Sequence, residues 1–374
     1  MNNLTRIALA TALLGSAGMA QAQLNASTAS SAFSGSASAS ATASSVASAS
    51  GTNNNVAIAT VGVGQFDSST GVLVGANIQL NSERLQSISG TGSKNNGPGR
   101  DANGSGSSTA AFSASGASST FATPATLAGS GCSLAMGPTG AISCNWGPTT
   151  SAAVATNATA AVSTSNLNDY VGNGSTSVAL SLPSLQATST LSRTQGQASS
   201  STSTYTVSWS GNLQASYDYL LHAAPSFANS STLSSLTLDF GTVAQGASIS
   251  PLSFSLFNLA GANRAGLDLD SVSGSGNTGK LTTNLAGFID LAQGGSSSYD
   301  AWLDTTSTGN FSSHYLLNLS DADIGASATR KAYQLELNLV GNVAAVPEPE
   351  SYAMLLAGLG MIGVIARRRR EFTR

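Results

Sequence analysis

Apolar and polar positions alternate along much of this chain with a period of two, which is the signature of strands with one buried face. Val56-Ala-Ile-Ala-Thr-Val-Gly-Val63 alternates and is β-branched, so it reads as a strand. Gln65 to Gly71 reads as a turn, and Val72 to Leu80 as the second arm of a hairpin. Ala110 to Phe121 and Val154 to Val162 are weaker strands, with sparse large apolar residues between Ser, Ala and Thr. Thr204 to Trp209 and Leu213 to Leu220 read as a further strand pair whose aromatic residues complete the core of a first β-domain over residues 56–230. A second unit over residues 231–343 opens at Leu236 and continues with Leu252 to Asn258, Leu267 to Val272, Ser298 to Leu303, His314 to Leu319 and Ala332 to Val340. In the last of these Tyr333, Leu335, Leu337 and Leu339 share one face, and Gln334, Glu336 and Asn338 the other. Short strands separated by turn clusters predict a mainly β protein of antiparallel sandwich units.

The pattern changes at both ends. Residues 24–52 are almost entirely Ser, Ala, Thr and Gly, too little apolar area to offset the entropy of ordering. Residues 23–55 are therefore expected to be a low-complexity segment, loose but with some strand character. Residues 1–22 begin with Arg6, continue through an apolar run and close on Ala20-Gln21-Ala22, the small-x-small pattern of a signal peptide. Signal peptidase would cut after Ala22 and leave Gln23 first. At the other end, Ser351 to Ala366 carries no charge and follows Pro347 and Pro349, which cannot lie in a helix interior. As a helix this run spans about 24 Å, short of the ~30 Å bilayer core. Arg367 to Arg370 would stop transfer and stay cytoplasmic, so a single, short transmembrane helix is expected, with everything upstream on the far side.

Pro347-Glu348-Pro349, the apolar helix and the basic cluster, in that order, resemble the PEP-CTERM sorting signal of Gram-negative bacteria, here over residues 344–374. The resemblance implies that Pro347, Glu348 and Pro349 are the recognition element for exosortase, a membrane enzyme that cuts near the motif and releases or transfers its substrate. It implies a protein tethered to the inner membrane and facing the periplasm, then moved to the outer surface or secreted. Gln65-Phe66-Asp67 with Gly71-Val72-Leu73, and the later Leu236-Thr-Leu-Asp-Phe-Gly-Thr-Val243, resemble the openings of choice-of-anchor, immunoglobulin-like surface domains. That likeness implies fold and export, and no activity.

Charge sharpens this picture. The whole chain carries a net −3. Setting aside Arg6 and the five arginines of the tail takes the 14 basic residues to 8, and setting aside Glu371 takes the 17 acidic ones to 16, so the exported part carries −8. That argues against nucleic acid and against adhesion to anionic lipid for the folded part. Charged residues are only 8% of the chain, against roughly 25% in ordinary soluble proteins, so hydroxyls and amides must supply solubility. Such a surface suits contact with polysaccharide or with copies of itself.

Candidate chemistry is sparse. Cys132 and Cys144 flank Gly137-Pro-Thr-Gly140, a turn that would lay two arms side by side, and outside the cytoplasm they should form a disulfide. Gly358-Leu-Gly-Met-Ile-Gly363 has dinucleotide-loop spacing but sits in the apolar helix with no preceding strand. Gly274 to Lys280 nearly matches a P-loop but has Leu281 where a hydroxyl is required, and reads as a turn between strands. His222 and His314 each stand beside aromatic or leucine residues and read as packed or rim side chains. Asp268 with Asp270, and Asp321 with Asp323, would each lie on one face of a strand and are weak calcium candidates; a solvated sheet face is the plainer reading. Asp218, Asp300 and Asp304 add carboxylates without a pattern. No catalytic residue, metal site or cofactor is expected. The expected function is a non-enzymatic protein of the envelope or extracellular matrix, associated with exopolysaccharide or biofilm. The alternatives are an exported carbohydrate-binding or polysaccharide-active sandwich and a calcium-dependent adhesin.

Overall fold

A computed structural model describes residues 23–44, 48–94, 102–115, 125–129, 131–134, 142–155, 157–193, 199–346 and 349–371. The first unit contains β1 (Leu24–Ser27), β2 (Ser31–Ser44), β3 (Ser48–Gly64), β4 (Val72–Lys94), β5 (Ala102–Ala110), β6 (Ser113–Ser115) and β7 (Ala125–Ala128). It continues with β8 (Cys132–Leu134), β9 (Ile142–Thr150), β10 (Val154–Ala155), β11 (Ala158–Ala161), β12 (Ser175–Arg193) and β13 (Ser199–Leu220). One sheet is centred on β13 and β4, with β1 and β2 outside β13 and β9, β10 and β11 outside β4. The other is centred on β12, with β3 on one side and β5 and β6 on the other, β7 and β8 flanking β5. The 22 residues of β13 make this a long sandwich, about 70 Å at ~3.3 Å per residue.

The Ser/Ala-rich segment is part of this sandwich, not a loose lead-in to it. Along β2, Phe33, Ala39, Ala41 and Ala43 are buried while the serines between them face out. Alanine contributes little transfer energy, which hides the pattern from hydropathy. Its small size is what the site needs, because β2 and β3 belong to facing sheets that approach closely here. A Cβ added at Gly35 would strike Ile58, and one at Gly51 the carbonyl of Ser40.

Two further expectations change. Val56–Val63 and Val72–Leu80 are not a hairpin: β3 pairs with β12 and β4 with β13, so the intervening turn carries the chain from one sheet to the other. The strand pair read at 204–220 is one continuous strand, β13. The Ser-Gly-Asn at 210–212 is no turn; a Cβ on Gly211 would collide with Asn81 and Ser82 of β4, so glycine permits close pairing.

Aromatic residues fill the core. Trp209 lies edge-on to Phe33 at 5.5 Å and to Phe112 at 5.2 Å, and its Nε1 donates to Ser82 Oγ at 3.0 Å. Tyr205 donates to Gln86 Oε1 at 2.5 Å, and burial pushes its phenol up to about 12. Cys132 and Cys144 form a disulfide. Its arms do not lie side by side in one sheet: β8 pairs with β5 and β9 with β4, so the bond ties the two sheets together. Closing a loop of 12 residues contributes roughly 3 kcal/mol on a chain-entropy estimate. Trp146 packs nearby, in a space kept open by Gly90, Gly106 and Gly129.

Outward positions carry hydroxyls in register. Rows run Ser44–Ser200–Ser93, Thr42–Thr202–Thr91, Ser40–Thr204–Ser89 and Ser38–Thr206–Ser87 across β2, β13 and β4. Neighbours pair, Thr42 with Thr202 at 3.0 Å and Ser93 with Ser200 at 2.7 Å, so this face is polar without charge.

The second unit comprises β14 (Pro225–Ser226), β15 (Ser235–Ala244), β16 (Leu252–Asn258), β17 (Leu267–Gly276), β18 (Leu281–Thr283), β19 (Ser296–Leu303), β20 (Gly309–Asp321) and β21 (Ala332–Ala344). Its two four-stranded sheets run β14-β16-β19-β18 and β15-β21-β20-β17. The pairing is antiparallel except for β15, which runs parallel to β21. Since β14 pairs with β16, this unit starts a few residues before position 231. Leu256, Leu267, Leu281, Leu317, Leu337 and Leu339 form its core.

The tail follows as α1 (Pro349–Glu371). Met354, Leu356 and Met361 are 76%, 69% and 66% exposed. Among the described residues no helix is long and apolar enough to cross a membrane, so the expected spanning helix finds no support in the fold. The apolar stretch is cut short by Glu350 on one side and Arg367 on the other, and Gly358, Gly360 and Gly363 dilute what remains.

Candidate functional site

Two places carry possible function: the tail, and the junction between the units. β21 starts beside the first unit and ends at Ala344, so the tail leaves the second unit at its far end. Val346 is exposed, and the backbone enters helix at Pro349. Pro347 and Glu348 lie outside the described residues, as do Ala20 and Ala22. Gln23 is exposed and directly precedes β1, whose Leu24 is in register with Tyr219 near the junction. Arg367 is exposed, and Arg368, Arg369 and Arg370 belong to the last turns of α1.

The junction is built around Asp321, fully buried at the end of β20. Its Oδ1 accepts the Ala223 N–H at 2.7 Å and the Tyr333 hydroxyl at 3.0 Å. Its Oδ2 accepts His222 Nδ1 at 2.7 Å and the Lys331 N–H at 2.9 Å. Burial pushes this carboxyl up, but the bonds from His222 and the two backbone amides outweigh it and hold it below the usual range. His222 Nε2 lies 2.9 Å from the Ser68 carbonyl of the first unit. Both ring nitrogens face oxygen acceptors, an arrangement that favours the doubly protonated ring. The Asp321 bond, chiefly, raises its pKa above the ordinary 6.5, against the opposing effect of burial.

Backbone contacts complete the junction. The Ala326 N–H donates to Leu73 O at 2.8 Å, the Leu73 N–H to Thr329 Oγ1 at 3.1 Å, and the Ala328 N–H to Asn168 Oδ1 at 3.0 Å. Of these cross-unit bonds only the one from His222 titrates near neutrality. A raised folded pKa stabilises below the unfolded value and loses that contribution as pH rises through the folded one. Melting temperature should therefore fall from about pH 6.5 upward, and His222→Gln should flatten this dependence; an unchanged slope in the variant would contradict the assignment.

The calcium candidates are placed differently from the expectation. A bulge between Leu269 and Ser271 breaks the one-face geometry of Asp268 and Asp270. Arg330 occupies the position between them, 3.0 Å from Asp268 and 3.9 Å from Asp270. Asp321 is the buried acceptor just described, whereas Asp323 is exposed in the turn beyond β20. Among the described residues no three His, Cys, Asp or Glu side chains converge. Asp300 accepts from Ser253 at 2.6 Å, and Lys280 of the near-P-loop turn binds Asp304 at 2.8 Å. His314 stands 3.9 Å from Glu336 on an exposed face. Sequence reasoning missed the joining of His222 and Asp321, 99 positions apart. Its one available signal was a histidine directly after a strand end.

Residues 345–370 match the PEP-CTERM protein-sorting motif. That motif marks an exported protein, anchored at a membrane before exosortase processes it. No curated protein matches the chain. Solved structures show faint likenesses. The ASH/PapD-like domain 7 of human CEP192 has 11% identity and a TM-score of 0.22, covering 33% of this chain and 87% of that one. The Vibrio cholerae VesB protease has 13% identity and a TM-score of 0.20, covering 35% and 37%. A nucleoside hydrolase-related protein from Saccharophagus degradans, described as associated with carbohydrate metabolism, has 17% identity and a TM-score of 0.18, covering 34% and 26%. Likenesses this faint bear on neither fold nor activity.

Proposed function

We propose, from the sorting motif at residues 345–370, that this chain is a non-enzymatic surface or matrix protein of a Gram-negative envelope, held among exopolysaccharide in a biofilm. Before processing it is tethered at the inner membrane with its β-units in the periplasm. Its units are read as choice-of-anchor-type domains. The observation that carries the reading is the placement of the motif: the tail leaves the second unit opposite the junction, so cutting it leaves both sandwiches whole. The uncharged hydroxyl rows of β2, β13 and β4 support contact with a neutral, hydroxyl-rich matrix. Phe33, Phe112, Tyr205, Trp209 and Tyr217 of the first unit are buried, and Asp300 and Asp304 are already bonded within the second.

The test compares cells making the chain with cells making a variant in which Pro347, Glu348 and Pro349 are alanine. The first should be found in the extracellular matrix and freed when the polysaccharide is digested. The variant should stay with the membrane fraction. Equal distribution of the two, or matrix retention that ignores digestion, would overturn the proposal.

A further inference from the structure

Trp146 and Trp209 are core residues, whereas Trp302, on the outward face of the sheet β14-β16-β19-β18, is 38% exposed. Along β19 the buried Tyr299, Ala301 and Leu303 turn into the sandwich, which leaves Ser298, Asp300 and Trp302 on the outside. A lone exposed apolar side chain is common and signals nothing by itself. The surroundings set this one apart. Among the described residues no ring or cation packs on the indole, and its N–H makes no hydrogen bond. Its cross-strand neighbour on β18 is Thr282, too short to cover it. β19 is flanked by β16 and β18, so the ring stands on a paired, inner strand.

Polar groups of both kinds lie alongside. Asp300, about 7 Å along the strand from Trp302 at ~3.3 Å per residue, accepts Ser253 Oγ at 2.6 Å with Oδ1. Its Oδ2 has no partner among the described residues. Asn284 stands beside it: Oδ1 accepts the Asp300 N–H at 2.8 Å, which leaves the exposed amide NH2 as a donor. On the other side of Trp302, Asp304 is neutralised by Lys280 at 2.8 Å. The strip thus offers an open aromatic face, an acceptor and a donor, with Asp300 as its one uncompensated charge. A sugar matches these together: the C–H face of its ring lies on the indole, and its hydroxyls both donate and accept. The Asp300 carboxylate, on a body carrying −8, disfavours an acidic glycan and leaves a neutral one.

We propose that the Trp302 face of the second unit binds a neutral polysaccharide strand, with the indole as stacking platform and Asp300 and Asn284 as partners of the sugar hydroxyls. This site rests on residence of the chain in a polysaccharide matrix and names the surface that makes the contact.

The test is affinity electrophoresis of the full chain in mild detergent, through gels containing matrix polysaccharide extracted from the producing cells and split by ion exchange into neutral and acidic fractions. The neutral fraction should retard the chain and the acidic one should not. Trp302→Ala should weaken the retardation roughly tenfold, the loss of one aromatic anchor, and Trp302→Phe should recover part of it, with melting temperatures confirming that both variants are folded. In the unaltered chain, saturation with the neutral fraction should lower acrylamide quenching of tryptophan emission, since Trp302 is the exposed indole. Equal retardation of the parent and Trp302→Ala, unchanged quenching in a retarded chain, or retardation by the acidic fraction alone would overturn the site and leave the matrix reading standing. Retardation of the parent by neither fraction would overturn both.

Discussion

Asp321→Ala is expected to destabilise the second unit by about 3–5 kcal/mol, the usual cost of removing one partner of a buried charge pair. The loss has several parts acting together. The His222 imidazolium would remain only 14% exposed with its counter-charge gone. The Tyr333 hydroxyl and the amides of Ala223 and Lys331 would lose their acceptor in the same step. Each unsatisfied buried donor costs about 1–3 kcal/mol on its own. Because Ala223 lies in the linker from β13 and Lys331 enters β21, the damage would reach both the junction and a central strand. Urea unfolding of the two proteins measures it. A loss below about 1 kcal/mol would show that water replaces the carboxylate, and that Asp321 does not organise the junction.

Trp209→Ala should cost a similar 3–5 kcal/mol, and in the other unit. The indole is fully buried, bridges Phe33 of the Ser/Ala-rich segment and Phe112 of the facing sheet, and holds Ser82 Oγ. Its removal leaves a cavity that β2 cannot collapse into, since close approach at Gly35 is already limited by Ile58. Protease sensitivity should appear first around residues 24–44, because β2 then loses its one large anchor. Unchanged stability with β2 still protected would mean that this segment is held by hydrogen bonding alone.

The second unit was the more legible. Leu252–Asn258 came out as β16 with the same bounds, because leucine and phenylalanine alternate cleanly with serine there. The first unit hid its architecture in small residues. Ala39, Ala41 and Ala43 are core, yet alanine counts weakly on any hydropathy scale. Turn residues at 65–71 mark where the chain bends, but not whether it returns to the same sheet, so the expected hairpin is a crossing between sheets. Gly211 shows the converse ambiguity, since glycine serves a close strand contact as readily as a turn. The tail was readable because its features are consecutive. The junction was not, because Ser68, His222 and Asp321 come together only through folding.

Export followed by a cut at the tail is the claim on which the functional reading rests. The most direct test is the intact mass of this protein recovered from outside the cells, set beside that from a strain lacking exosortase. The account predicts a chain that starts at Gln23 and ends near Pro347–Pro349, with α1 retained and membrane-bound only in the mutant strain. Recovery of a chain that still carries both Met1 and Arg374, folded in the cytosol of wild-type cells, would contradict it.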